Sequence, residues 1–196
     1  MSPRMGLTKD KIVDTAGKMA DRNGMESVTI ANLAKELQIR PPSLYNHIKG
    51  LDELKTILAV HALNGLYQDM KSATEEKEGD DAVQALGTSY FSFARKHPGL
   101  YEAALLAPDP RDNDVQEAGS QIVHLALETL KYLELSKEDA LHAVRGMRSL
   151  FHGFASLEQK SGFGLDLSVD ESLERMVRTF LIGIKHRDMP IKEKLL

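Results

Sequence analysis

The chain has 196 residues, 42% hydrophobic and 28% charged, with no cysteine, no tryptophan and a formal net charge of −4. Without cysteine there is neither a disulfide framework nor thiolate chemistry. No stretch nears the eighteen or so unbroken apolar residues of a membrane span, and the opening MSPRMGLTKD lacks an apolar signal core, so a cytoplasmic protein is expected. The charge is unevenly spread. Nine Lys and Arg stand against seven Asp and Glu up to Leu58, a net +2, and sixteen against twenty-two beyond it, a net −6. A mildly basic head on an acidic body suits a protein that presents one end to phosphate.

Taken in order, residues 1–6 read as a flexible arm carrying Arg4. Thr8 can cap a helix to about Asn23 with Ile12, Val13, Ala16, Met19 and Ala20 buried, ended at Asn23-Gly24 by a left-handed cap. Ile30, Leu33, Ala34 and Leu37 fall at i, i+3, i+4 and i+7 of a second helix, with Thr29 as N-cap and Val28 as a staple on Leu33. Gln38-Ile39-Arg40 is a link. Pro41 fits the cap of a third, short helix and Pro42 its first turn. Leu44 and Ile48 form its inward edge, and Ser43, Tyr45, Asn46 and His47 face outward. Helix, tight turn and polar-faced helix are the parts of a helix-turn-helix, whose second helix enters the major groove.

Asp52 then caps a long amphipathic helix to about Thr74, and the charged stretch 75–81 is a solvated link. Further helices are predicted from Ala82 to Lys96, Leu100 to Ala107, Asp114 to Leu133, Ser136 to Gln159 and Asp170 to Lys185, with a fraying tail KEKLL. No stretch alternates as a strand does. The expected fold is all-α: a three-helix head joined by a long helix to an all-helical body, about nine helices. The expected boundaries are 1–50 for the helix-turn-helix head, 51–80 for the connecting helix and linker, and 81–196 for the body.

The run from Thr29 to Ala34, continued by Pro42-Ser43-Leu44-Tyr45-Asn46-His47-Ile48, resembles the DNA-binding domain of TetR-family transcriptional regulators, over roughly residues 7 to 60. The resemblance implies that Tyr45 and His47 touch phosphate and base edges. Ser43, near a helix N-terminus, can donate to a phosphate, and Thr29 and Lys49 can hold phosphates that fix register. Asn46 can bond an adenine edge, Arg40 can fork onto guanine, and Pro41 and Pro42 offer apolar contact to a thymine methyl. Many members carry lysine at the place of Leu51 and a polar or basic residue at that of Ala31; this chain lacks both.

Residues 149–158, SLFHGFASLE, followed by VDESLERM, are similar to the regulatory domain of a TetR subgroup that often carries Trp-His-Gly where this chain has Phe151-His152-Gly153. In the family the last two helices pair with their twofold mates. The expected interface is Met147, Leu150, Phe154, Leu157, Val177, Phe180, Leu181 and Ile184, with Gly146 and Gly153 as a flat strip for close approach. A twofold dimer reads two half-sites about one DNA turn, or a multiple of it, apart. The family binds small, mostly apolar effectors. Here the resemblance points to Met70, Tyr90, Phe91, Phe93, Tyr101, His124, Met147 and Phe151 as lining, with His124 and His152 able to orient a polar group.

There is no Gly-rich phosphate loop, no His-Glu-x-x-His and no Gly-x-Ser-x-Gly, so neither an enzyme nor a cofactor is expected. His142, Arg145, Arg148 and His152 share a flank without a carboxylate set for a metal. The expected function is a ligand-responsive repressor that binds a palindromic operator as a homodimer and is released by a small molecule. The alternative is an all-helical adaptor that binds protein and not DNA; steep loss of duplex binding with salt separates the two.

Overall fold

The computed structural model describes residues 7–186. Among these it contains no strand. Its helices are α1 (Lys9–Asn23), α2 (Ile30–Glu36), α3 (Leu51–Thr74), α4 (Gly79–Lys96), α5 (Pro98–Leu105), α6 (Asn113–Leu130), α7 (Lys137–Gln159) and α8 (Val169–Lys185). A six-residue 3-10 helix, Pro41–Asn46, makes nine, beside single 3-10 turns at Met25–Ser27 and Lys131–Leu133. The expected arm at Arg4 and the fraying tail lie outside the described residues.

Caps set most boundaries. Thr8 accepts from the Lys11 N–H, Thr29 from Asn32 and Ser136 from Asp139, each satisfying a donor that the first helical turn leaves orphaned. Several predicted ends move. Gly24 has φ 79° and ψ 161°, not a left-handed helical pair, while its N–H still closes α1 on the Ala20 carbonyl. α3 starts at Leu51, where the Glu53 carboxylate reaches back to the Lys49 N–H, so Glu53 and not Asp52 does the capping. Ser168, not Asp170, caps α8 by accepting from the Glu171 N–H. α4 begins at Gly79, α5 at Pro98, and α6 stops at Leu130, where one 3-10 turn leads to Glu134 at φ 50°.

The chain forms two compact units that interleave in sequence. The first holds the head through Asp69 and also Ser92–Val123; the second holds Met70–Phe91 and the chain from His124 onward. In the first, Ile12, Ala16, Leu33, Leu44, Leu54 and Leu58 are all fully buried in one core, which also takes Ala103 of α5. The packing division thus differs from the boundary expected near residue 80, because Ser92–Val123 groups with the head. Gly99 is the reason α5 comes so close: a Cβ there would lie 2.1 Å from the Ala20 carbonyl carbon. Leu100 in turn sits over Gly17, 3.1 Å from where its Cβ would be.

In the second unit α7 packs on α8, and the Phe151 ring fills the space beside Gly87 on α4, 2.7 Å from where a Cβ would stand. Across this unit Lys185 pairs with Asp80 at 2.6 Å and lies 5.6 Å over the Tyr132 ring, whose hydroxyl donates to Asp80.

Candidate nucleic-acid interface

The turn between α2 and the 3-10 helix is built without glycine. Leu37 ends α2, Gln38 takes φ 55°, and the Gln38 and Ile39 N–H groups return to the Lys35 and Ala34 carbonyls at 3.1 and 2.9 Å. This is a Schellman closure, with half-buried Ile39 packed against the head core. Arg40 follows in an extended conformation, φ −83° and ψ 142°, because Pro41 bars helical dihedrals from the residue before it. The cap position expected for Pro41 therefore belongs to Arg40, one residue earlier, and both prolines lie inside the helix.

That helix is 3-10 rather than α. The Ser43 N–H bonds to the Arg40 carbonyl at 2.9 Å and the His47 N–H to that of Leu44 at 2.8 Å. Side chains three apart then eclipse one another, so Pro42 lines up with Tyr45, Ser43 with Asn46 and Leu44 with His47. Leu44 and Ile48 are buried at 0 and 1%, anchoring the segment in the head core. Tyr45 is 56% exposed; Arg40, Pro41, Pro42, Asn46 and Lys49 are exposed, and Ser43 and His47 half-buried. Thr29, half-buried, accepts the Asn32 N–H on its hydroxyl oxygen and keeps its hydroxyl proton to donate.

Two supports escaped the sequence reading. Asn32 donates its side-chain amide to the Ser27 carbonyl at 2.9 Å, fixing the entry to α2. Arg22 of α1 pairs with Glu36 of α2 at 2.6 Å. The capping Glu53 could have been found as the third residue of its helix, where the capping-box pattern puts it.

The expected effector lining is buried for the most part. Met70, Tyr90, Phe91, Met147 and Phe151 are 1–6% exposed in the second unit, where Tyr90 and Phe151 meet with ring centroids 5.6 Å apart. Phe93 and Tyr101 are buried in the first unit. His124 departs from expectation: it is exposed on α6, on a face that the helical period turns outward.

The expected dimer residues divide as well. Met147, Val177 and Leu181 are 2, 1 and 1% exposed, consumed by packing within one chain, so they are withdrawn from any interface. Leu150, Phe180 and Ile184 are half-buried, and Leu157 is 49% exposed. Phe154 lies between Phe91, at 6.5 Å edge-on, and Phe163, at 5.5 Å, which makes it part of an aromatic stack. Gly146 is filled by the Phe180 ring of the same chain, whereas Gly153 meets nothing within 4 Å. Met176 of α8, 43% exposed, extends the apolar face that remains, whereas Ile182, 55% exposed, lies on the opposite side of that helix. Among the described residues no group of three His, Asp or Glu is placed to hold a metal ion.

Comparison with known proteins bears on the family and the fold. A family model described as "Tetracyclin repressor-like, C-terminal domain" matches residues 83–180. A relative from Bacillus subtilis (strain 168), the uncharacterized HTH-type transcriptional regulator YobS, is 43% identical over 185 residues, 94% of this chain and 96% of its own. A solved protein of unknown function from Rhodococcus sp. RHA1 superposes with TM-score 0.80 at 22% identity, covering 93% of this chain and 98% of that one. The TetR family protein ActR of Streptomyces coelicolor, solved with (S)-DNPA, superposes with TM-score 0.66 at 20% identity, with the same coverage.

Proposed function

This chain belongs to the TetR family of transcriptional regulators, and from that premise we propose that it is a ligand-responsive repressor that binds a palindromic operator as a homodimer. The observation that carries the reading is the 3-10 helix Pro41–Asn46, which buries Leu44 and turns its polar side chains to solvent. Packing alone would not leave a phenol, an amide and a cationic flank on so short a segment. Thr29, Ser43 and Lys49 grip phosphates; Tyr45 and His47 touch phosphate and base edges; Arg40, Pro41, Pro42 and Asn46 read bases. Residues 1–50 act as the DNA-binding part, 51–80 connect, and 81–196 sense the effector and dimerise.

The dimer face is the outer surface of α7 and α8, centred on Leu150, Leu157, Met176, Phe180 and Ile184. A small, mostly apolar effector acts by favouring the state that binds DNA poorly. That ActR, which shares this fold, was solved in complex with (S)-DNPA supports a ligand site in a protein of this fold. The protein works where its operator is, in the cytoplasm; no described helix is long and apolar enough to cross a membrane. Selection of bound duplexes from a random pool tests the reading: a twofold-symmetric site with two half-sites is expected, and failure to enrich any duplex would overturn it.

A further inference from the structure

We infer that Asp21 latches α5 to α1 and that the operator affinity of the head is set through this latch, an inference that rests on the DNA-binding reading. One oxygen of the Asp21 carboxylate accepts from the Gly99 and Leu100 N–H groups, both at 2.9 Å, and the other meets His97 Nδ1 at 3.0 Å. These partners lie 76 to 79 residues away in sequence. Pro98, the first residue of α5, has no N–H, so Asp21 takes the next two N–H donors, which no intrahelical carbonyl can satisfy. The His97 ring stands 5.2 Å from Phe93, which holds it toward α1. Gly99 against Ala20, and Leu100 over Gly17, complete a seat with room for one position of α5.

Placement makes this seat more than a tie. α5 lies between α4 and α6, and each of those helices runs unbroken from one compact unit into the other, at Phe91/Ser92 and Val123/His124. α4 ends at Lys96, two residues before α5 opens at Pro98, so a displacement of the end of α4 reaches α5, which the latch ties to α1. α1 shares its core with Leu44 and Ile48, directly behind the outward residues of the 3-10 helix. The latch is also openable. It borders an open cleft of about 730 Å³ that Lys11, Lys18, Arg22 and Lys96 also line, and the side chains of His97 and Asp21 are 41 and 19% exposed. Asp21 is thus a positioning residue, acting through α1.

The test uses the full chain and a duplex recovered by selection with the wild-type protein. Asp21→Ala is expected to weaken binding about tenfold, with Asp21→Asn between, at a temperature where all three are folded and sediment alike. Because Asp21 is the partner of the Gly99 and Leu100 amides, their hydrogen exchange reports the latch itself. By reciprocity, adding the duplex must slow exchange of those two amides in the wild type, a measurement that needs no variant. Asp21→Ala binding within about twofold of wild type while those amides exchange faster would overturn the latch, as would exchange unaffected by the duplex. A wild type that enriches no duplex is a different result: it overturns the DNA-binding reading and the latch's role with it.

Discussion

The ring of Phe180 on α8 occupies the space over Gly146 on α7, with Cε2 and Cζ 2.9 and 3.0 Å from where a Cβ would be. A glycine inside a helix costs about 1 kcal/mol relative to alanine, so this one is kept for the approach of the ring. Gly146→Ala is expected to lower stability by about 1 kcal/mol net, the overpacking exceeding the gain in helix propensity. In a double-mutant cycle, Phe180→Leu should cost less in the Gly146→Ala background than in wild type. Urea titrations of the four proteins measure the coupling, and simple additivity would show that the contact carries nothing.

Tyr45 is exposed, so Tyr45→Ala should change folding stability by less than about 0.5 kcal/mol. Operator affinity should fall by about 1–3 kcal/mol, roughly fivefold to 150-fold. Lys49→Ala should instead weaken all duplexes alike and reduce the slope of log K against log salt by about 1. Fluorescence anisotropy across a salt series distinguishes the two roles.

Gly99→Ala sets a Cβ 2.1 Å from the Ala20 carbonyl carbon, against backbone that cannot step aside. A loss of more than about 3 kcal/mol is expected, enough to detach α5 from the head. Gly17→Ala meets only the movable end of Leu100 at 3.1 Å and should cost less than about 1 kcal/mol. Thermal melts of the two variants give the contrast.

Much of this was legible from local pattern. Thr8 and Thr29 announced their helices, and α7 ends at Gln159 as its periodicity foretold. The inward turn of Leu44 and Ile48 was legible too, because their spacing of four suits one face whether the segment is α or 3-10. What escaped depended on the chain's return to itself. His97-Pro98-Gly99 reads as a helix stop, yet Pro98 opens α5 and Gly99 is the point of contact with α1. Nothing near Asp21 hints at partners so distant. Met147, Val177 and Leu181 share the apolar character of the more exposed residues of α7 and α8, and only packing separates inner stripe from outer. Gln38 at positive φ was hidden because glycine is the usual signal for such a turn.

Leu157→Glu and Met176→Glu should leave the chain folded, since both side chains are largely exposed, and should shift sedimentation from dimer to monomer. Phe154→Glu is expected to do something else. It places a carboxylate between Phe91 and Phe163 and should lower the melting temperature before it alters assembly. Dimers persisting in both exposed variants would move the interface off the outer face of α7 and α8.

The hydrogen bond from Lys185, then that from Tyr132, hold the Asp80 carboxyl below its usual pKa. A carboxylate depressed in the folded state stabilises at pH above its unfolded value, near 4, and loses that contribution as acid carries the pH down through the folded value. Burial, and then Asp80, raise the Tyr132 phenol far above its ordinary value, so its contribution is intact below about pH 10 and lost in stronger alkali. Asp80 and Lys185 are both more than a third exposed, so solvent screening keeps the effect to about 1 kcal/mol or less. Asp80→Asn should flatten the stability curve between pH 5 and 3, read from urea midpoints, and wild-type steepness in that variant would rule the pair out.

The interleaving of the two units bears on any attempt to transplant the DNA-reading end onto another regulator. Cut at Gly79, the graft would strip α1 of its neighbour, bare Gly17 and Ala20 to water and leave Asp21 a carboxylate without donors. A portable version has to travel as two pieces, carrying Ser92–Val123 with it. Exchange of amino-terminal halves is correspondingly obstructed: on the proposed reading, a new specificity is reached by altering exposed side chains over 40–47, or by carrying along α5, on which α1 packs.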